Sequence, residues 1–180
     1  PNSVTSIGSG IFANCSSMTA FYGKFASTDN RYLVVEGVLN SFAPAGLTEY
    51  IIPNSVTGIG YCAFKGCSNL TSVIIPDSVT SIGYYAFEDC NNLTSVELPS
   101  SLTVVEQGVF SRTGLIEVTI PEGVTSLGKW AFDNCPALAN VDLPNTLTSI
   151  GENAFENCTA LANIIIPSNV TSIGNYAFSG

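Results

Sequence analysis

The chain has 180 residues, 46% of them apolar and 11% charged, with 14 acidic against 5 basic residues and a net charge of −9. That is too apolar for a disordered segment, and no apolar run approaches the roughly 20 residues of a membrane helix. The acidic balance argues against nucleic acid, whose binding rests on phosphate neutralisation, and against anionic membrane surfaces, and the complete absence of histidine removes Ser-His-Asp and Cys-His catalysis and His-based metal sites.

Internal repetition dominates the rest. Pro53, Pro76, Pro99, Pro121, Pro144 and Pro167 are spaced 23, 23, 22, 23 and 23 residues apart. The unit reads best as PDSVTSIGYYAFEDCNNLTSVEL, residues 76–98, with near-copies from Pro1, Pro53, Pro121 and Pro144. The copy at Pro99 is one residue short, and Pro167 opens a partial copy that stops at Gly180. Counting each proline as position 1, residues 1–180 make one domain of about 7.5 turns. At about 4.8 Å per stacked strand, that is a rod or arc on the order of 35–40 Å long.

After the first copy, an insertion is expected near residues 24–29, followed by a degenerate repeat at 30–52. Tyr32–Glu36 and Val38–Phe42 flank Gly37 and read as a hairpin standing off the main stack. The frame resumes at Leu47, where LTEYIIP matches LTSVIIP at Leu70. Within each regular unit, Val79-x-x-Ile82 is a short extended segment. Gly83, at position 8, is expected to turn the chain with positive φ. Gly8, Gly60, Gly128, Gly151 and Gly174 share its place, whereas the short copy has Glu106 there and Gly108 two residues on, so a different backbone path is expected. Residues 84–89 are expected to make one helical turn with Ala86 and Phe87 inward. Leu93-x-x-Val96-x-Leu98 alternates like a half-buried strand, ended by Pro99, which cannot donate to a ladder.

The repeated apolar positions define the core. Position 12 is Phe12, Phe64, Phe87, Phe110, Phe132, Phe155 and Phe178, and position 18 is Met18, Leu70, Leu93, Leu115, Leu138 and Leu161. One unit cannot bury such a face alone, but a stack can. Cys15, Cys67, Cys90, Cys135 and Cys158 recur three residues after the Phe, with Thr113 in the short copy. They read as small packing elements, their side chains parallel and not aimed at disulfide partners. They lie along a line and do not converge as zinc ligands would. Cys62 stands off this column. Glu88-Asp89, Asp133-Asn134 and Glu156-Asn157 read as solvated charges, since no dense calcium-type loop is present.

The pattern LxxVxLP joined to SVTSIGxxAFxxCxxL resembles the BspA-type, or treponemal-type, leucine-rich repeat of bacterial surface antigens. GKFASTDNRYLVVEGVLNSFAPAGLTEYIIP is similar to an interruption common in such proteins from gut-dwelling bacteria. The resemblance implies a right-handed leucine-rich-repeat solenoid, mostly β with short helical turns and one parallel sheet face. It also implies an extracellular or cell-surface location and a role in adhesion or host-protein binding.

Two surfaces are candidates for a partner. On the strand, positions 20 and 22 point away from the core. They carry Glu49, Ile51, Ser72, Ile74, Ser95, Glu97, Glu117, Thr119, Asn140, Asp142, Asn163 and Ile165, a face with an acidic middle and exposed isoleucines toward each end. Positions 9 and 10 carry an aromatic patch of Tyr61, Tyr84, Tyr85, Trp130 and Tyr176, with Lys129 among them. These rings suit protein or sugar contacts, or else cover the edge of the core. The expectation is a non-enzymatic interaction or adhesion module with no cofactor, binding a protein or glycoprotein. The alternative is a structural spacer without a ligand. Pro1 begins a unit and Gly180 falls mid-unit with no evident polar cap, so a piece of a longer protein, or end-to-end self-association through uncapped repeats, is also expected.

Overall fold

The structure is a computed structural model and describes residues 3–180. Among these are thirteen short strands, β1 to β13, and no helix. β1 (Tyr32–Val35) and β2 (Val38–Phe42) form an antiparallel hairpin. Glu36 and Gly37 close it with φ of 51° and 81°, the doubly left-handed turn that matches strand twist. From there the chain coils, the first five turns each giving one three-residue and one two-residue strand and the last a two-residue strand alone. The three-residue strands form one strip: β3 (Glu49–Ile51), β5 (Ser72–Ile74), β7 (Ser95–Glu97), β9 (Glu117–Thr119) and β11 (Asn140–Asp142). The two-residue strands form a second: β4 (Gly58–Ile59), β6 (Ser81–Ile82), β8 (Val104–Val105), β10 (Ser126–Leu127), β12 (Ser149–Ile150) and β13 (Ser172–Ile173). All pairings along both strips are parallel. The result is a parallel β-solenoid of about six turns.

The expected helical turn is replaced by consecutive tight turns. Ala86 N–H donates to Gly83 O, Glu88 N–H to Tyr85 O and Cys90 N–H to Phe87 O, each spanning three residues. Positions 10 and 14 are left-handed in every regular copy: Tyr85 and Asp89 at 57° and 62°, Trp130 and Asn134 at 55° and 54°. A left-handed residue every fourth position forbids helix continuation. It also frees amides to point along the stack. Tyr85, Phe87 and Asp89 donate to Gln107, Val109 and Ser111 of the next copy at 3.0, 2.9 and 3.1 Å.

Position 8 needs correction too, because its glycines do not have positive φ. Space dictates them instead. A Cβ on Gly83 would lie 2.7 Å from Tyr61 N, and one on Gly151 2.6 Å from the Gly128 carbonyl carbon. Nor does the short copy follow another path at the turn: Gly108 takes the same left-handed place as Tyr85, with φ of 63°. The departure lies in the strands. The ladders break between β6 and β8 and between β7 and β9. Glu106 carries a Cβ where its counterparts have none, and the copy has one residue fewer with which to reach β9.

Phe42, Phe64, Phe87, Phe110, Phe132 and Phe155 form a buried aromatic column. Its successive ring centroids lie 4.6, 4.7, 5.4, 5.4 and 5.3 Å apart. Each fully buried ring contributes about 1.5–3 kcal/mol. Phe178 caps the column at 5.4 Å but is partly exposed. Phe12 is not in it. That ring packs 5.1 Å from Phe21 in a separate small cluster with Leu33 and Ala43. The hairpin explains the exchange. It does not stand off the stack: β2 pairs in parallel with β4, so Leu39 lies beside Ile59 and Phe42 supplies the aromatic. The turn of the first copy reaches past it, and Asn14 N–H donates to Lys65 O at 2.9 Å. The insertion is tied down by polar groups. Asp29 accepts from Ser27 Oγ at 2.6 Å and Tyr50 Oη at 2.7 Å, and the Arg31 guanidinium donates to the carbonyls of Thr19, Ala43 and Ala45.

Candidate functional site

The three-residue strands place alternate side chains outward, and the pairing register aligns them between turns. Glu49, Ser72 and Ser95 form one row, and Ile51, Ile74 and Glu97 the next. Across the break, Glu117 lies beside Asn140 and Thr119 beside Asp142. The break shapes this face. Between β7 and β9 a groove of about 630 Å³ opens, and Ser72, Ile74, Ser95, Glu97, Glu117, Thr119, Asn140 and Asp142 line it. Its walls include Val96, Leu98, Val118 and Pro121, which sequence reasoning did not assign to the surface. Val96 is half-buried where its equivalents Val73, Val118 and Val141 are buried.

Asn163 and Ile165 complete the predicted rows by position but not by structure. Residues 161–167 form no strand. A cavity of about 360 Å³ lies between them and β11, and Ile165 is 87% exposed. Glu49 and Ile51 lie at the other end of the strip, outside the groove.

Charge is segregated. Among the described residues the ion pairs are Lys65 with Glu88, Arg112 with Glu88 and Asp89, and Lys129 with Glu152, all at the turns. Lys24 lies over the Phe25 ring, and Arg31 is spent on carbonyls. None of these five cations reaches the sheet face, so Glu49, Glu97, Glu117 and Asp142 stand there without a counter-cation. Thr119 Oγ1 donates to Asp142 at 3.4 Å.

The aromatic patch divides in two. Tyr61, Tyr84 and Tyr176 are exposed, at 49%, 50% and 68%. Tyr85 and Trp130 are half-buried, which fits rings that partly cover the core edge. Tyr61 meets Tyr85 edge-on at 6.2 Å, and the Lys129 ammonium lies 5.0 Å from the Trp130 ring. The acidic residues after the core Phe are not all solvated, as the sequence suggested. Glu88 and Asp133 are buried. Glu88 is held between Lys65 and Arg112, and it raises the Lys65 pKa through their hydrogen bond. Asp133 accepts from Asn134 Nδ2 at 2.7 Å and Ser111 Oγ at 3.3 Å and has no cation beside it.

The cysteines are free. Cys90, Cys135 and Cys158 donate through Sγ to Phe64 O, Phe110 O and Phe132 O, each at 3.1 Å. Burial pushes the Cys158 thiol up to about 12. Cys15 is the exception and is exposed. Cys62 fills left-handed position 10 with φ of 53°. Among the described residues no cluster of three or more His, Cys, Asp or Glu side chains is placed to hold a metal ion, and no helix is long and apolar enough to cross a membrane.

Stacked 23-residue turns with a phenylalanine column and a short parallel strip define a leucine-rich-repeat solenoid, a scaffold that presents surfaces. The chain belongs to the BspA type leucine rich repeat region family, whose model matches residues 1–28, 39–141 and 85–180 in six copies. Several solved structures are similar, three of them as follows. A leucine rich cell surface protein from Faecalibacterium prausnitzii is 34% identical over 83% of this chain and 36% of its own, with a TM-score of 0.67. A leucine-rich repeat protein from Eubacterium ventriosum is 27% identical over 100% of this chain and 57% of its own, with a TM-score of 0.79. The T. pallidum leucine rich repeat protein is 26% identical over 87% of this chain and 79% of its own, with a TM-score of 0.70. The chain thus spans about a third of the F. prausnitzii protein and over half of the E. ventriosum one. No protein with a curated description matches it.

Proposed function

We propose that this chain is a non-enzymatic interaction module of a bacterial cell-surface or secreted protein, and that it adheres to a macromolecular partner through the groove between β7 and β9. The observation that carries this reading is the groove itself. It places Glu97, Glu117 and Asp142 together without a counter-cation, beside half-exposed Val96 and Ile74. An apolar strip set among unpaired carboxylates matches an extended protein segment carrying lysine or arginine with interspersed apolar side chains. Apolar contact supplies affinity, and the charges supply steering and register. Membership in a surface repeat family supports the same reading.

The test is direct binding to a panel of immobilised extracellular proteins. A saturable hit is expected to weaken at least tenfold in the variant carrying Glu97→Ala with Asp142→Ala. It is also expected to weaken when salt rises from about 0.1 M to about 1 M, which shortens the screening length from about 10 Å to about 3 Å. Binding indifferent to both changes would move the site elsewhere. A folded chain that binds nothing would favour a spacer role.

A further inference from the structure

The short copy alters the turn side as well as the sheet. Position 10 carries Tyr85 in the copy before it and Trp130 in the copy after it, but Gly108 in between. Beside it lies a notch of about 260 Å³, walled by Tyr85 and Trp130, floored by the buried Glu88, Ser111 and Asp133, and edged by the exposed Arg112. The Tyr85 ring lies over Gly108, since a Cβ there would fall 2.3 Å from Tyr85 Cδ1. The two aromatic positions are separated by two inter-strand spacings, about 10 Å.

Three features give the notch a chemical character. First, its polar groups are mixed. Arg112 and Ser111 donate, whereas Asp133 and Glu88 accept, which suits hydroxyl groups that do both. Second, Asp133 is 7% exposed and uses one bond on each oxygen, from Asn134 and Ser111. A carboxylate has about four lone-pair sites, so acceptor capacity remains on the floor. Third, the fold does not require aromatic residues here. Position 10 is left-handed throughout and takes Gly10, Cys62, Gly108, Asn153 and Tyr176 in other copies. Holding Tyr85 and Trp130 at φ of 57° and 55° costs on the order of 1–2 kcal/mol each. Such strain clusters where side chains are used.

We propose that this notch binds a single neutral pyranose, such as the end of a glycan chain, independently of the sheet-face groove. The apolar face of the sugar lies against Tyr85 or Trp130. Its hydroxyls bond to Asp133 and Ser111 and to the outward edge of the Arg112 guanidinium. The carboxylates of Glu88, Asp89 and Asp133 outnumber the cations Lys65 and Arg112, and this disfavours acidic sugars.

The experiment uses the only tryptophan of the chain as its reporter. Trp130 emission is followed while glucose, galactose, mannose and N-acetylglucosamine are each added to tens of millimolar, with N-acetylneuraminic acid for comparison. A saturable change with at least one neutral sugar and none with the acidic one is expected. The response is expected to fall at least tenfold in affinity in Asp133→Asn and in Tyr85→Asn. The latter places at position 10 a residue that Asn153 shows the fold accepts. The Glu97→Ala, Asp142→Ala double variant is expected to keep the full response, so failure of the groove reading leaves this one standing. No saturable change with any neutral sugar would overturn the proposal. So would a response to the acidic sugar alone, or one unchanged in both folded notch variants.

Discussion

The copy that begins at Pro99 and its two neighbours share a core and differ at the surface. Phe110 sits 5.4 Å from both Phe87 and Phe132, as regular a place as any in the column. Thr113 replaces the column cysteine and donates to Phe110 O of its own copy at 2.9 Å, where the cysteines reach the phenylalanine carbonyl of the copy before, and it lies 3.2 Å from Cys135 Sγ. Yet the copy has one residue fewer, Glu106 for glycine and Gly108 for a ring. Both ladders break between its strands and those of the copy before, a groove opens on one side, and a notch lies on the other. What repeats builds the solenoid, and what departs from the repeat gives its surface two distinct places.

The comparison breaks if the short copy is also weaker inside. Phe87→Ala and Phe110→Ala remove the same buried ring from a regular and a short copy. Each is expected to cost about 3–5 kcal/mol, the range for large core truncations, and to do so equally within error in urea unfolding. A much smaller loss for Phe110→Ala would mean that the broken ladders had already loosened the core there.

A milder change sharpens the cause of the groove. The missing residue falls between Thr113 and Leu115, where Gly114 approaches Asn91 O so closely that a Cβ would lie 2.5 Å from it. Inserting one Asn after Thr113 restores the 23-residue period. It is expected to re-form the ladder between β7 and β9, raising stability by about 1 kcal/mol, since each recovered hydrogen bond contributes about 0.5–1.5 kcal/mol. Partner binding at the groove is expected to fall at least tenfold. Amide exchange at Ser95–Glu97 and Glu117–Thr119 measures the closure. Unchanged protection would assign the break to Glu106 instead.

The fold was legible wherever identical positions recur, because stacking demands the same side chain at the same height in each turn. The strand register, the phenylalanine column from Phe64 to Phe178 and the outward rows as far as Asp142 follow from that demand. The turn conformation was less legible. Asn14, Gly66, Asp89, Asn134 and Asn157 do signal a left-handed position 14, but Arg112 hides it. At position 10 the signal from Gly10, Gly108 and Asn153 is masked by Cys62, Tyr85, Trp130 and Tyr176. The degenerate copy misled for a geometric reason. Leu39 pairs with Ile59 and Glu49 with Ser72, so its path is shorter by three residues and no fixed frame finds Phe42. The notch was hidden because the Tyr85 ring folds over Gly108 of the next copy and because Glu88 and Asp133 are buried against neighbours 22 to 24 positions away.

The irregular N-terminal part differs from the stack in what holds it, and acid separates the two with the smallest effect. Residues 24–35 lack a stacked core of their own and depend on Asp29, which accepts from Ser27, Tyr50 and the Arg31 amide. Partial burial works against the charged form of Asp29, but these hydrogen bonds outweigh it and hold the pKa below the usual 3.8. The folded value lies below the unfolded one, so the stabilisation is fully present above about pH 4 and fades as pH falls through the folded value. The regular turns carry paired carboxylates as well, Glu88 between Lys65 and Arg112 and Asp77 on Ser100, but they also have a column of buried rings and backbone bonds to hold them. Amide exchange compared at pH 5 and pH 3, corrected for intrinsic rates, is expected to show lost protection at Ser27 and Tyr32, with Phe87 and Phe132 unchanged. Asp29→Asn is expected to produce the same local loss already at pH 5, without lowering the main unfolding midpoint. Loss spread evenly over both regions would mean that the insertion and the stack open as one unit.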